Sequence, residues 1–178
     1  LINQELDMMV CGQTDEVQGA LRAIDHLKPH VAVVDITLKD GSGIELIKDI
    51  RTRWPDLMVV VLSMHDESLY AERVLRAGAR GYVTKGEPPE RILDAIRAVL
   101  AGDIYISEAL ASKMLHSFVA DKPHCGASRV NKLSDREFEV FELIGQVLPT
   151  REIADRLHLS VKTIETHREH IKSKLSMD

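Results

Sequence analysis

Short apolar runs alternate with amphipathic stretches through the first hundred residues, and then the alternation stops. Runs at 8–11, 31–34, 58–62 and 81–83 have strand length and are almost uniformly apolar, as strands covered on both faces are. Between them, 15–27, 43–54 and 68–77 carry helical periodicity. A fourth helical stretch starts near Pro88 and Pro89, ends at Gly102, and places Ile92, Leu93, Ile96 and Leu100 on one stripe. This order predicts βα units around a doubly wound parallel sheet of the flavodoxin-like kind.

Past Ile106 the pattern changes. Residues 107–116 have the makings of a short helix, and 120–132, with Pro123, Gly126 and Ser128, read as a linker. From Leu133 the chain reads as all helical, with capping-type starts at Ser134 (Glu137 three residues on), Thr150 and Ser160. The first of these helices directs Phe138, Phe141, Leu143 and Ile144 inward; the second, Ile153, Ala154 and Leu157. After a tight turn at 158–160, the third buries Val161, Ile164, Ile171 and Leu175. Two helices joined by such a turn make a helix-turn-helix, whose second helix enters the major groove. Three segments follow: an α/β domain over 1–106, a linker over 107–132 and an all-α domain over 133–178.

A chain of 178 residues accommodates two small domains. No apolar run approaches the length of a membrane span, no secretory pattern opens the chain, and a cytoplasmic location is expected. The net charge of −5 argues against nucleic acid only if it is spread evenly. From Arg129 onward nine Lys/Arg balance nine Asp/Glu, so the deficit lies entirely before it. The last helix carries four basic and two acidic residues, which permits DNA binding there. Cys11 and Cys125 have no metal-ligand spacing; Cys11, in an apolar run, reads as a small buried hydrophobe.

Functional groups of open α/β sheets gather at the carboxyl ends of the strands. Asp35, Ser63 and Lys85 each follow one of the predicted strands. A carboxylate can attack phosphorus while an ammonium and a hydroxyl hold the transferred oxygens. The segments 33–43 (Val-Val-Asp-Ile-Thr-Leu-Lys-Asp-Gly-Ser-Gly), 61–63 (Val-Leu-Ser) and 81–85 (Gly-Tyr-Val-Thr-Lys) resemble those of bacterial response-regulator receiver domains. The resemblance implies that Asp35 accepts a phosphoryl group from a sensor histidine kinase and that Lys85 binds it. Ser63 and Tyr82 would form the switch pair. Asp35 and the backbone carbonyl of Thr37 would contribute to a magnesium site. The strand and acidic pair with which receivers begin have no counterpart here, and the chain is expected to be a fragment.

Residues 133–137 (Leu-Ser-Asp-Arg-Glu), 151–154 (Arg-Glu-Ile-Ala) and 159–167 (Leu-Ser-Val-Lys-Thr-Ile-Glu-Thr-His) are similar to the LuxR-type helix-turn-helix of the NarL/FixJ family. That likeness implies a phosphorylation-activated transcription factor, not an enzyme, working as a homodimer on DNA. By the same likeness, the chain is expected to be a fragment that stops before the fourth helix through which relatives pair. Lys162, Glu165, Thr166 and Glu169 would read bases, and Thr163, His167, Arg168 and Lys172 would contact phosphates. One alternative is a DNA-binding regulator indifferent to phosphate. A more remote one is a haloacid-dehalogenase-like phosphatase, which needs an Asp where Thr37 stands.

Overall fold

The computed structural model describes residues 1–119 and 129–176. The chain divides into two compact units, Leu1–Ser112 and Lys113–Asp178. The first unit contains α1 (Val17–Leu27), β1 (Val31–Val34), β2 (Thr37–Leu38), β3 (Gly41–Ser42), α2 (Gly43–Arg53), β4 (Met58–Ser63), α3 (Glu67–Ala77), β5 (Gly81–Thr84) and α4 (Glu90–Leu100). A further helix, α5 (Glu108–Val119), begins in it.

Three strands pair in parallel in the order β1-β4-β5, with Val34 beside Val61 and Ser63 beside Thr84. Val60 and Val83 pack on one face against Ile92, Leu93, Ile96 and Val99 of α4, so the predicted stripe is the one that meets the sheet. Leu100, expected on that stripe, is exposed. Strand alternation sends the buried Val59 and Val61 to the other face. There α2 and α3 pack on each other, and α3 on β5. Beyond β5, the Tyr82 N–H donates to the Tyr105 carbonyl (2.8 Å) and the Tyr105 N–H to the Arg80 carbonyl (2.9 Å), so that edge is covered.

The strand expected at 8–11 does not form. A strand needs a ladder partner for its N–H and C=O groups, and among the described residues β1 pairs only with β4. The Val10 N–H donates instead to Asn3 Oδ1 (2.8 Å). Met9, Val10 and Cys11 are exposed, which corrects the reading of Cys11 as buried. The segment is held from another side: Arg97 of α4 bonds Glu5 (2.6 Å) and Asp7 (3.1 Å), while Ile2 and Met8 lie on the α4 cluster. Cys125 and most of the expected linker fall outside the described residues; Arg129–Lys132 forms a short 3-10 turn.

The second unit contains α6 (Asp135–Gly145), α7 (Thr150–Arg156) and α8 (Val161–Leu175). Ser134 and Glu137 close a capping box on α6, and Ser160 accepts from the Thr163 N–H (3.1 Å) on α8. Thr150 is not a cap: it lies inside α7, and Pro149, which has no side-chain acceptor, occupies the capping position. Phe138, Val140, Ile153, Ala154, Ile164, Ile171 and Leu175 form the core. Phe141, Leu143, Ile144 and Leu157 are half-buried. Val161 is exposed, because the inward stripe of α8 starts one turn later, at Ile164.

Of the glycines in the first unit, Gly43 lies closest against neighbouring backbone. Its N–H donates to the Ile36 carbonyl (2.8 Å), and a Cβ there would stand 2.0 Å from the Asp35 carbonyl oxygen. Gly43→Ala therefore forces main chain apart beneath Asp35. We expect a loss of about 2 kcal/mol or more in urea unfolding, followed through the single tryptophan, Trp54.

Candidate phosphoacceptor site and nucleic-acid interface

Asp35, Ser63 and Lys85 leave the sheet at the same edge because their strands run parallel and in register. Lys85 Nζ donates to Asp35 Oδ2 at 2.5 Å, across 50 residues of sequence. The Thr37 N–H donates to the other carboxylate oxygen at 3.3 Å. The Asp35 side chain is about 30% exposed, so its carboxylate is held but reachable. Lys85 is fixed from its own backbone, whose N–H donates to the Ser63 carbonyl (2.8 Å).

Ser63 and Tyr82 are both buried. The Ser63 side chain accepts from the His65 N–H (3.2 Å). The Tyr82 hydroxyl donates to the His65 carbonyl at 2.8 Å. Burial, aided by the charges of Glu67, Asp66 and Asp35, pushes this phenol well above its ordinary pKa, so it stays protonated and must keep an acceptor.

Sequence reasoning missed His65. Its Nε2 lies 3.2 Å from Thr37 Oγ1, and its ring packs on Tyr70 with centroids 4.5 Å apart. Its place two residues beyond Ser63, at the end of a strand, was the available signal. The loop after Asp35 is tied at its far end too: Asp40 accepts from the Val17 N–H at the start of α1 (2.6 Å), and Lys39 pairs with Asp15 (2.5 Å).

Magnesium asks for six oxygens in a near-octahedral array. The site offers one carboxylate, Asp35, beside Lys85. No group of three or more His, Cys, Asp or Glu side chains gathers among the described residues. Asp35 supplies part of such a shell, of which water and phosphate oxygens commonly supply much of the rest.

In the second unit Lys162, Glu165, Thr166, Glu169 and Lys172 line the exposed side of α8. Thr163 is half-buried and engaged with Ser160, their hydroxyls 2.8 Å apart. Arg168 reaches Thr150 Oγ1 of α7 at 3.5 Å, the limit of a hydrogen bond. His167 departs from expectation: its Nδ1 is buried with no hydrogen-bond partner among the described residues. The spacing from Ile164 and Ile171 turns it towards the core side, away from the face a phosphate would meet.

What aims α8 is a pair of buried acids on α6. Glu137 receives Lys174 Nζ at 2.6 Å and the Ser134 N–H at 2.7 Å. Burial pushes its carboxyl up, but the Lys174 ammonium and these hydrogen bonds outweigh that and hold it below the usual range. Arg136 pairs with Glu139 (2.6 Å) and also donates to the Leu157 carbonyl (2.6 Å), closing the C-terminal end of α7.

Two family models match the chain: the response regulator receiver domain over residues 1–97, and the bacterial regulatory proteins of the luxR family over 131–178. The oxygen regulatory protein NreC of Staphylococcus aureus is 33% identical, over 99% of this chain and 83% of that protein. RcsB of Salmonella enterica serovar Typhimurium, solved on the rprA promoter with the phosphomimetic BeF3-, superposes with a TM-score of 0.64. It is 27% identical and matches over 99% of this chain and 84% of that one. A LuxR-family two-component response regulator from Aurantimonas sp. SI85-9A1 is 33% identical over 58% of this chain and 74% of that one, with a TM-score of 0.53.

His167 makes the second unit acid-sensitive. Burial first, and then the Arg136 charge, lowers its pKa below the ordinary 6.5. Between the folded value and 6.5 the unfolded chain binds the proton that the folded chain refuses, so stability falls as pH falls through that window. Amide exchange at Ile164 and Ile171 should quicken from pH 7 to pH 5.5, beyond the intrinsic pH effect, and His167→Gln should flatten that dependence.

Proposed function

The chain belongs to the NarL/FixJ family of two-component response regulators, DNA-binding transcription regulators, and from this premise we propose that Asp35 is its phosphoacceptor and α8 its recognition helix. The 2.5 Å contact of Lys85 with Asp35 carries this reading. It puts a permanent cation where a phosphoryl group bound to Asp35 would need charge compensation. Ser63 ends β4 at the same edge, with its hydroxyl accepting from the His65 N–H in the present arrangement. A phosphoryl group arriving from a sensor histidine kinase would compete for that hydroxyl and for Lys85. The Ser63–Tyr82 pair then becomes the element whose balance the added charge shifts.

Receivers typically use magnesium; Asp35 and the Thr37 carbonyl would give it two oxygens, and the ion would supply charge neutralisation. DNA is the second partner, with residues 1–106 as receiver, 107–132 as connection and 133–178 as DNA-binding domain. The working form on DNA is a homodimer over two half-sites, and the location is the cytoplasm. No described helix is long and apolar enough to cross a membrane. On α8, Lys162, Glu165, Thr166 and Glu169 read bases, while Thr163, Arg168 and Lys172 position the helix on phosphates.

A second reading is DNA binding that does not depend on phosphate. A phosphatase is not favoured: Thr37, two residues past Asp35, has no acid–base group.

Intact mass after incubation with acetyl phosphate and magnesium distinguishes the first two readings. Uptake of one phosphoryl group, lost in Asp35→Asn, is the expected result; no uptake supports the phosphate-independent regulator. On DNA, Lys162→Ala or Glu165→Ala should cost about 1–3 kcal/mol and relax preference at one base position. Lys172→Ala should weaken all sequences alike and lessen the salt dependence. Binding titrations over an operator library, repeated at several salt concentrations, read both effects.

A further inference from the structure

His65 is bonded in two directions at once. Its ring reaches Thr37, in the loop that follows Asp35, with Nε2 3.2 Å from Thr37 Oγ1. Its main chain faces the buried end of the sheet, where the carbonyl accepts from the Tyr82 hydroxyl (2.8 Å) and the N–H donates to Ser63 Oγ (3.2 Å). The ring has little room to swing independently, since it packs on Tyr70, itself only 1% exposed.

We propose that His65 is a positioning residue that couples the loop after Asp35 to the burial of Tyr82, through the Thr37–His65 side-chain bond. The coupling follows from what each group requires. A buried phenol must keep its acceptor, because an unsatisfied buried hydroxyl is disfavoured by far more than the net value of the bond. The acceptor is the His65 carbonyl, so Tyr82 stays inside only while the His65 backbone stays in place. The His65 ring, wedged against Tyr70, ties that backbone to Thr37. A displacement of Thr37, which also donates its N–H to Asp35, is thereby felt at Tyr82 without any direct bond between them. The consequence for signalling rests on Asp35 being the phosphoacceptor; the mechanical coupling does not.

The test is fluorine NMR of the full chain with 3-fluorotyrosine at its three tyrosines, Tyr82 being assigned by Tyr82→Phe. Thr37→Val keeps the shape of the side chain and removes its hydroxyl. It should move the Tyr82 resonance towards that of exposed fluorotyrosine, with the ratio of buried to exposed ring falling roughly threefold to tenfold, as expected for the loss of one hydrogen bond. His65→Ala should move it further, and adding Thr37→Val to His65→Ala should change nothing more. His65→Gln, which can still bond Thr37, should restore most of the buried population. A Tyr82 resonance unmoved in Thr37→Val, or shifts that simply add in the double variant, would overturn the proposal. If His65→Ala fails to fold, as judged by the Tyr105 resonance, Thr37→Val and His65→Gln still decide it. Acetyl phosphate is then added to the wild type. No uptake there sinks the phosphoacceptor reading alone, because the resonance shifts are measured on unphosphorylated chain.

Discussion

The parallel register of β1, β4 and β5 sets Val34 beside Val61 and Ser63 beside Thr84, so three strands end at one edge with their next residues converging. A slip of one residue would turn each strand's core side chains to the opposite face, and Asp35, Ser63 and Lys85 would no longer meet. The register is held because both faces of β4 are buried, Val60 against α4 and Val59 and Val61 on the opposite side. The Lys85–Asp35 ion pair is a consequence of that register, not its cause. With both partners about a third exposed, such a pair adds little to stability by itself.

Beneath this edge the chain turns tightly, with Gly43 against the Asp35 carbonyl and α2 starting at once. The loop between them is pinned at Asp40 and Lys39 to the start of α1 and at Thr37 to His65. Asp35 thus sits on a short segment whose neighbours are tied to separate elements of the unit. A charge added at such a place acts on a connected set of hydrogen bonds, and the buried Ser63–Tyr82–His65 group belongs to that set.

The helical unit follows the same logic with different chemistry. Its apolar core is small, and two buried acids on α6 add direction: Glu137 to Lys174 near the end of α8, and Glu139, through Arg136, to the end of α7. A buried charge deprived of its partner is strongly destabilising, whereas the intact pair contributes little net stability. Such pairs constrain geometry more than they stabilise. Here they tie α8 and the end of α7 to α6, and Lys162, Glu165, Thr166, Glu169 and Lys172 are exposed together on the outer side of α8.

Whatever depends on near neighbours along the chain was legible in the amino-acid order. The apolar runs of β1, β4 and β5, the stripe of α4 and the caps at Ser134 and Ser160 are local patterns, and each formed. The order of Asp35, Ser63 and Lys85 was legible for the same reason, since each directly follows or ends a strand. Tertiary structure decided whatever needed a distant partner. Residues 8–11 have strand composition but no ladder neighbour among the described residues, so they form no strand, and Cys11 is exposed. Thr150 has a capping side chain, but α7 starts one residue earlier than that role requires. Val161 and His167 exchanged their expected places because the packing of α8 on α6 and α7, not periodicity alone, chooses which residue lies inward. His65 offered only its place two residues beyond Ser63 as a signal, because its partners, Thr37 and Tyr82, come from different strands and meet only when the sheet closes.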